Sequence, residues 1–170
     1  MLVLDYLVLY QSRSGNTARL ATRIFSALPG NSKDIIDLAS GERLPEAKVY
    51  FVGFGVYQGT CHIGVSDFLS QLSGKIIALF ATCGLGDSNE YKKEVAATTA
   101  AWIEDDNIYL GAYICQGKFP QAVRKKCEER HAEALLSRFD QALTHPDEVD
   151  MQGADEFVAH SLKKIEGLRR

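Results

Sequence analysis

Apolar runs that alternate with amphipathic segments are the dominant pattern along this chain. Five runs are apolar over most of their length, as expected for strands buried on both faces of a parallel sheet. The predicted strands are Leu2–Tyr10, Asp34–Leu38, Val49–Phe54, Lys75–Ala81 and Asn107–Cys115. The intervening segments have helical periodicity. The predicted helices there are Gly15–Leu28, Val65–Leu72 and Glu90–Glu104. This alternation favours an α/β domain with a mostly parallel sheet.

The last third of the chain has a different pattern. Residues 121–143 are rich in charge and predict one helix, within an extra helical segment at 119–145. His145-Pro146-Asp147-Glu148 interrupts it, and either Asp147 or Asp150 is suited to begin a final helix that ends near Glu166. Because no repeat or long linker divides the chain, residues 1–170 are predicted to form a single domain.

Composition narrows the function classes. The 170 residues are 46% hydrophobic and carry a formal net charge of −3, so a packed core is expected and nucleic acid is not an expected partner. The apolar start of the chain is too short to span a membrane and lacks a basic segment, which favours a cytoplasmic protein without a membrane partner. Cys61, Cys83, Cys115 and Cys127 lack zinc-binding spacing, so reduced thiols and no metal site are expected.

The connection after the first strand is rich in hydroxyl groups. Its sequence is Ser12-Arg13-Ser14-Gly15-Asn16-Thr17, and it leads directly into an amphipathic helix. Free backbone N–H groups and the helix dipole favour an anion at such a helix start, and Gly15 permits a close backbone approach. The loop is neither a Walker A loop nor a GxGxxG motif. A phosphate group is therefore the predicted ligand.

This hexapeptide resembles the [ST]-x-[ST]-G-N-T loop with which flavodoxins hold the phosphate of FMN. The resemblance implies a flavodoxin-like α/β fold, in which a doubly wound five-stranded parallel sheet has the strand order 2-1-3-4-5 and helices on both faces. It also implies FMN as the cofactor. The net charge of −3 is less negative than is usual in the family.

Two further loops resemble the family's flavin-binding loops. The loop after the third strand would place Tyr57 on one face of the flavin, and the loop after the fourth would offer N–H groups to its pyrimidine edge. The predicted cofactor-binding residues are Ser12, Arg13, Ser14, Gly15, Asn16, Thr17, Gly55, Val56, Tyr57, Gly59, Thr82, Cys83, Gly84, Leu85, Gly86, Asp87 and Tyr91.

Three of these residues have alternative roles. Tyr91 would cover the outer flavin face, unless it belongs to the following helix and leaves Leu85 there. Asp87 would disfavour negative charge on the reduced flavin, or cap the helix, or both. Arg13 would pair with the phosphate or point to solvent.

Other side chains are weaker indications of function. Cys61, Cys83 and Cys115 fall near neighbouring strand ends, where a thiol either tunes a flavin or simply packs as a small apolar group. His62 beside Cys61 has no ligand spacing that supports a metal. The run Arg124-Lys125-Lys126 is either a solvated helix face or a docking patch for an acidic partner.

Three functions remain open from the sequence. The first is a bacterial FMN-binding electron-transfer protein, a monomer or weak dimer without catalytic residues, that shuttles electrons between donor and acceptor reductases. The second is an FMN-dependent oxidoreductase that reduces a quinone or another small molecule on the same fold. The third is a receiver-like phosphate binder. It is disfavoured because Asp5 lies within the first strand and Gln11-Ser12 end it.

Overall fold

Strands and helices alternate through the first two thirds of the chain. The computed structural model describes residues 2–84 and 88–170. Within these ranges the strands are β1 (Leu4–Gln11), β2 (Lys33–Asp37), β3 (Ala47–Gly55), β4 (Ile76–Cys83) and β5 (Ile108–Gln116). The α-helices are α1 (Asn16–Ala27), α2 (Ile63–Gln71), α3 (Asn89–Ala100), α4 (Gln121–Glu129), α5 (Glu133–Ala142) and α6 (Glu148–Leu168).

The five strands form one parallel sheet in the order β2-β1-β3-β4-β5, which confirms the predicted topology. The chain runs from β1 to the edge at β2 and then crosses to β3 on the other side of β1. The connections that leave the carboxyl ends of β1 and β3 therefore run in opposite directions, and a crevice lies between them. Ligands of open α/β sheets bind at such a switch point.

Alternate residues of each strand fill two separate cores, one on each face of the sheet. One core joins strand residues such as Leu9 and Phe54 to Val65 and Val95 of α2 and α3. The other joins strand residues such as Phe51 to helices α1 and α6. Helices therefore cover both faces, as the sequence pattern predicted, because each face of the buried strands presents apolar side chains that must be shielded from water.

The prediction of one helix over residues 121–143 was wrong. Helix α4 ends at Glu129, and His131 adopts a left-handed conformation with φ 53°. The N–H of Ala132 donates to the carbonyl of Cys127, and that of His131 donates to Glu128. This pair of bonds is the Schellman arrangement that closes helices. Because His131 rather than glycine takes the left-handed position, the sequence carried no clear stop signal.

Helix α3 also ends earlier than predicted, at Ala100 instead of Glu104. The N–H groups of Trp102 and Ile103 donate to carbonyls three residues earlier, so the last turn tightens and the helix stops. Among the described residues, no helix has the length and apolarity needed to cross a membrane.

Helix α6 begins with a reciprocal cap. The Asp147 carboxylate accepts from the N–H of Asp150, and the Asp150 carboxylate accepts from the N–H of Asp147. His145 Nδ1 also lies 2.6 Å from Asp150 Oδ2. Asp147 and Asp150, the two residues predicted as possible starts of this helix, therefore both take part in the cap. The cap fixes the point where the chain returns towards the sheet.

Candidate functional site

A cavity of about 290 Å³ lies beyond the carboxyl ends of β1, β3, β4 and β5. Its described lining comes from the connections that follow these four strands. The lining residues are Gln11, Arg13, Ser14, Asn16, Thr17, Gly55, Val56, Tyr57, His62, Thr82, Cys83, Gly84, Gly117, Lys118, Phe119, Pro120 and Val123.

The loop after β1 presents the start of α1 to this cavity. Gly15 is the residue before the helix and adopts a φ of +88°, and its N–H donates to Ser12 Oγ at 3.1 Å. Gly15 has no side chain with which to cap α1, and the first turn of the helix contains no acidic residue. The first N–H groups of a helix have no partner within it, and here they coincide with the positive end of the helix dipole. This end of α1 can therefore accept an anion.

Asn16 connects this loop to the segment after β5. Its side chain is buried, and Nδ2 donates to the carbonyl of Lys118 at 2.8 Å. A Cβ on Gly117 would lie only 2.7 Å from that nitrogen, so the approach requires glycine. Asn16 Oδ1 is buried without a hydrogen-bond partner among the described residues. Buried acceptors are normally satisfied, so this oxygen is available to a hydroxyl donor on a ligand.

A second set of contacts joins the loops after β1, β3 and β4. The buried hydroxyls of Thr17 and Thr82 lie 2.9 Å apart, and the N–H of Val56 donates to the carbonyl of Thr82. Three loops distant in sequence are therefore held in one fixed arrangement around the cavity.

Tyr57 stands at the base of a tight hairpin turn. Its N–H and carbonyl both bond to Thr60, while Gln58 and Gly59 have φ of 50° and 80°. Two successive positive φ values are the signature of a type I′ turn. The turn presents a Tyr57 side chain that is 49% exposed.

Two cavity residues pack against the ring of Tyr57. The imidazole of His62 stacks on it with centroids 5.2 Å apart and planes inclined by 15°, and the Arg13 guanidinium lies 5.5 Å from the ring centroid. Burial, and secondarily the charge of Arg13, lower the pKa of His62 below its usual value. The imidazole is therefore neutral near pH 7 and can pack as a flat ring.

Comparison with known proteins agrees with this geometry. Residues 7–159 match the sequence model of the flavodoxin domain. The chain belongs to the flavodoxin family. It is similar to the flavodoxin-like domain-containing proteins BilS of Clostridioides difficile strain CD3 and Clostridium symbiosum strain WAL-14163. The identities are 29% over 169 residues and 26% over 184 aligned positions. The alignments cover 93% and 94% of this chain and 96% of each relative.

Solved structures show the same fold. An archaeal flavodoxin superposes with a TM-score of 0.61 at 15% identity, covering 96% of this chain and 99% of that one. Flavodoxin 2 from Bacillus cereus superposes with a TM-score of 0.55 at 15% identity, covering 94% and 99%. At these identities the likeness concerns the fold.

Those predicted site residues of this flavodoxin-family protein that the structure describes take three kinds of position. Arg13, Ser14, Asn16, Thr17, Gly55, Val56, Tyr57, Thr82, Cys83 and Gly84 line the cavity. Ser12, Gly15 and Gly59 shape the two loops through a hydrogen bond and positive φ values. Tyr91 lies in the first turn of α3, half-buried against the core shared with α2. Leu85, Gly86 and Asp87 lie outside the described residues.

Much of the cavity lining that follows β5 was not predicted from the sequence. Gly117, Lys118, Phe119, Pro120 and Val123 line the cavity, as do Gln11 and His62. The signal was present in the topology, because β5 also ends at the ligand-binding edge of the sheet.

The cysteines near the strand ends are buried thiols. Cys83 lines the cavity, and its Sγ donates to the carbonyl of Cys115 at 3.6 Å. Burial raises the pKa of the Cys61 and Cys115 thiols above the usual range. A raised pKa disfavours the reactive thiolate, so the geometry favours packing roles for these two residues.

Proposed function

We propose that this chain binds FMN in the cavity and transfers electrons between partner redox proteins. The observation that carries the proposal is the uncapped N-terminus of α1, which faces the same cavity as the half-exposed ring of Tyr57. FMN combines a phosphate with a flat aromatic ring system, and the cavity offers one feature for each.

The phosphate would be held by the loop after β1. In this proposal the N–H groups at the start of α1 and the hydroxyl groups of Ser12, Ser14 and Thr17 surround the phosphate oxygens. Gly15 sets the loop conformation, and Arg13 adds positive charge at the cavity. The unpartnered Oδ1 of Asn16 fits a hydroxyl of the sugar-alcohol chain of FMN.

The flavin ring would lie between the loops after β3 and β4. Tyr57 offers a stacking face, which Gly55, Val56 and Gly59 place at the cavity. Thr82, Cys83 and Gly84 begin the loop proposed to contact the pyrimidine edge. Leu85, Gly86, Asp87 and Tyr91 remain predicted members of this side of the site.

FMN, when bound, supplies a centre that accepts and releases one or two electrons. The chain would then hold the phosphate, orient the ring and limit its contact with water. Among the described lining residues none is Asp or Glu, so no carboxylate of that lining opposes the negative charge of a bound phosphate.

The alternative is an FMN-dependent oxidoreductase that reduces a quinone or another small molecule. It is favoured by the placement of Tyr91 against the core, since an uncovered flavin face would leave room for a substrate. It predicts rapid oxidation of a nicotinamide cofactor by the FMN-loaded protein alone, whereas a carrier requires a partner reductase.

The deciding experiment is a titration of the purified protein with FMN and with riboflavin, which lacks the phosphate. The proposal predicts binding of both, with FMN bound more tightly. Stepwise anaerobic reduction then distinguishes one-electron from two-electron behaviour, and added NADH or NADPH tests for reductase activity. A protein that binds neither flavin would refute the FMN proposal and retain only the fold.

A further inference from the structure

Residues 117–146, here called the strap, follow β5 and contain α4 and α5. The strap is hydrogen-bonded to the first turn of α1 near both of its ends. The carbonyl of Lys118 accepts from Asn16 Nδ2 at 2.8 Å, and that of Pro146 accepts from an Arg19 guanidinium nitrogen at 3.3 Å. The N–H of Lys118 donates to the carbonyl of His145, which joins the two ends to each other. The strap is therefore positioned by the helix start that is proposed to hold the phosphate.

Phe119 is brought against the loop after β4. The N–H of Gly117 donates to the carbonyl of Cys83 at 2.9 Å, which continues the pairing of β4 with β5 into the loops. The outer end of the Phe119 ring then rests on Gly84 so closely that a Cβ at that position would overlap it. Glycine at residue 84 is thus required by the position of this ring.

The ring of Phe119 is supported on one face. It stacks on Phe139 of α5, with centroids 5.5 Å apart and planes inclined by 14°. Phe139 is 2% exposed, and the guanidinium of Arg124 lies 5.6 Å from its ring centroid. Phe119 lines the cavity and Phe139 does not. The supported face is therefore turned away from the cavity, and no ring of the described residues stacks on the other face.

We propose that Phe119 is a flavin-binding residue, whose free face stacks on the flavin ring as a second aromatic contact besides Tyr57. This inference rests on the proposed FMN function. It assigns the second aromatic role to the strap rather than to Tyr91. It also assigns Phe139 as a positioning residue, which acts through the ring of Phe119.

Flavin affinity tests the proposal, because removal of the Phe119 ring should weaken the binding of FMN and of riboflavin alike. Phe119→Leu removes the ring and keeps an apolar side chain against Gly84. We expect the dissociation constants of FMN and riboflavin to rise by a similar factor, about tenfold, because the lost contact involves the ring that both ligands share. Phe119→Tyr should retain binding. Leu135→Ala, on the exposed side of α5, is the control and should leave both constants unchanged.

Flavin fluorescence gives a readout that a purely structural role would not move. Tryptophan donates an electron to an excited flavin far more readily than phenylalanine does, so Phe119→Trp should shorten the lifetime of the bound flavin. Leu168→Trp, at the far end of α6, adds a tryptophan away from the cavity and should not. Circular dichroism checks that each variant keeps its helices.

The outcomes separate this inference from the function on which it rests. A wild-type protein that binds neither flavin overturns both. If wild type binds FMN while Phe119→Leu binds it equally well, and Phe119→Trp leaves the lifetime unchanged, this inference alone is overturned. The same conclusion follows if Tyr91→Leu produces the shared loss and Phe119→Leu does not.

Discussion

The hydroxyl groups of Thr17 and Thr82 are both buried and lie 2.9 Å apart. One belongs to the first turn of α1 and the other to the end of β4, so this hydrogen bond joins two of the loops that build the cavity. Thr82→Val should leave the Thr17 hydroxyl buried without this partner. We expect a loss of about 1–3 kcal/mol in the free energy of unfolding.

A double variant tests the hydrogen bond between Thr17 and Thr82 directly. Thr17→Val with Thr82→Val removes both polar groups, so its loss should be smaller than the sum of the two single losses. Urea unfolding measures all three variants. Thr98→Val, at an exposed position of α3, is the control and should change stability by less than about 0.5 kcal/mol. Additive losses would show that the two hydroxyls are not coupled.

Gly15 and Gly30 form a matched pair for testing the phosphate loop. They have φ of +88° and +76°, and in both cases a Cβ would meet open space. Alanine at either position should therefore cost about 1 kcal/mol of stability through backbone strain alone. We expect only Gly15→Ala to weaken FMN binding as well, because it disturbs the N–H groups at the start of α1. Equal FMN affinities in the two variants would contradict the proposed phosphate site.

The overlap between a Cβ on Gly84 and the ring of Phe119 predicts a compensating pair of substitutions. Gly84→Ala should lower the unfolding free energy by about 1–3 kcal/mol, because the ring must move away from Phe139 or the loop must shift. Phe119→Ala creates room, so Gly84→Ala should cost much less in that background. Thermal unfolding of the four proteins measures the coupling. A cost of the same size in both backgrounds would place the ring elsewhere.

An ion pair between α1 and α6 predicts a pH-dependent contribution to stability. Arg23 donates to both carboxylate oxygens of Asp155, at 2.8 and 2.7 Å, and holds the pKa of Asp155 below its usual range. A lowered folded-state pKa stabilises the protein above the unfolded-state pKa of about 3.9. That stabilisation is lost as the pH falls through the folded-state value.

Asp155→Asn should therefore be less stable than wild type at pH 7, and the difference should shrink as the pH falls below about 4. Urea unfolding across this range provides the measurement. Asp105→Asn removes an exposed carboxylate from the connection between α3 and β5 and serves as the control. A stability difference that stays constant with pH would refute the role assigned to this pair.

Elements with strong periodicity were predicted well, and those closed by local backbone geometry were not. The pattern of β3 and β4 predicted buried strands because residues 49–54 and 77–83 are all buried in the sheet. The break between α4 and α5 depends on the left-handed conformation of His131, which is uncommon for any residue other than glycine.

For the site, the sequence was enough to predict the loops whose geometry depends on local chemistry. The Ser12–Thr17 hexapeptide predicted an open helix start because hydroxyl groups and a glycine favour that geometry wherever the chain places them. The alternation of strands and helices likewise indicated which edge of the sheet holds the cavity, since parallel strands share one carboxyl edge.

The tertiary structure alone decided which side chains meet there. The stack of Tyr57 on His62 needs a type I′ turn with Gln58 in an unfavourable conformation, and the place of Phe119 beside Gly84 needs contacts across more than thirty residues. Such contacts depend on close packing between distant segments, and no local propensity encodes them. The sequence therefore predicted an anion site at the switch point of the sheet, and the packing of the strap placed the ring of Phe119 in the cavity beside it.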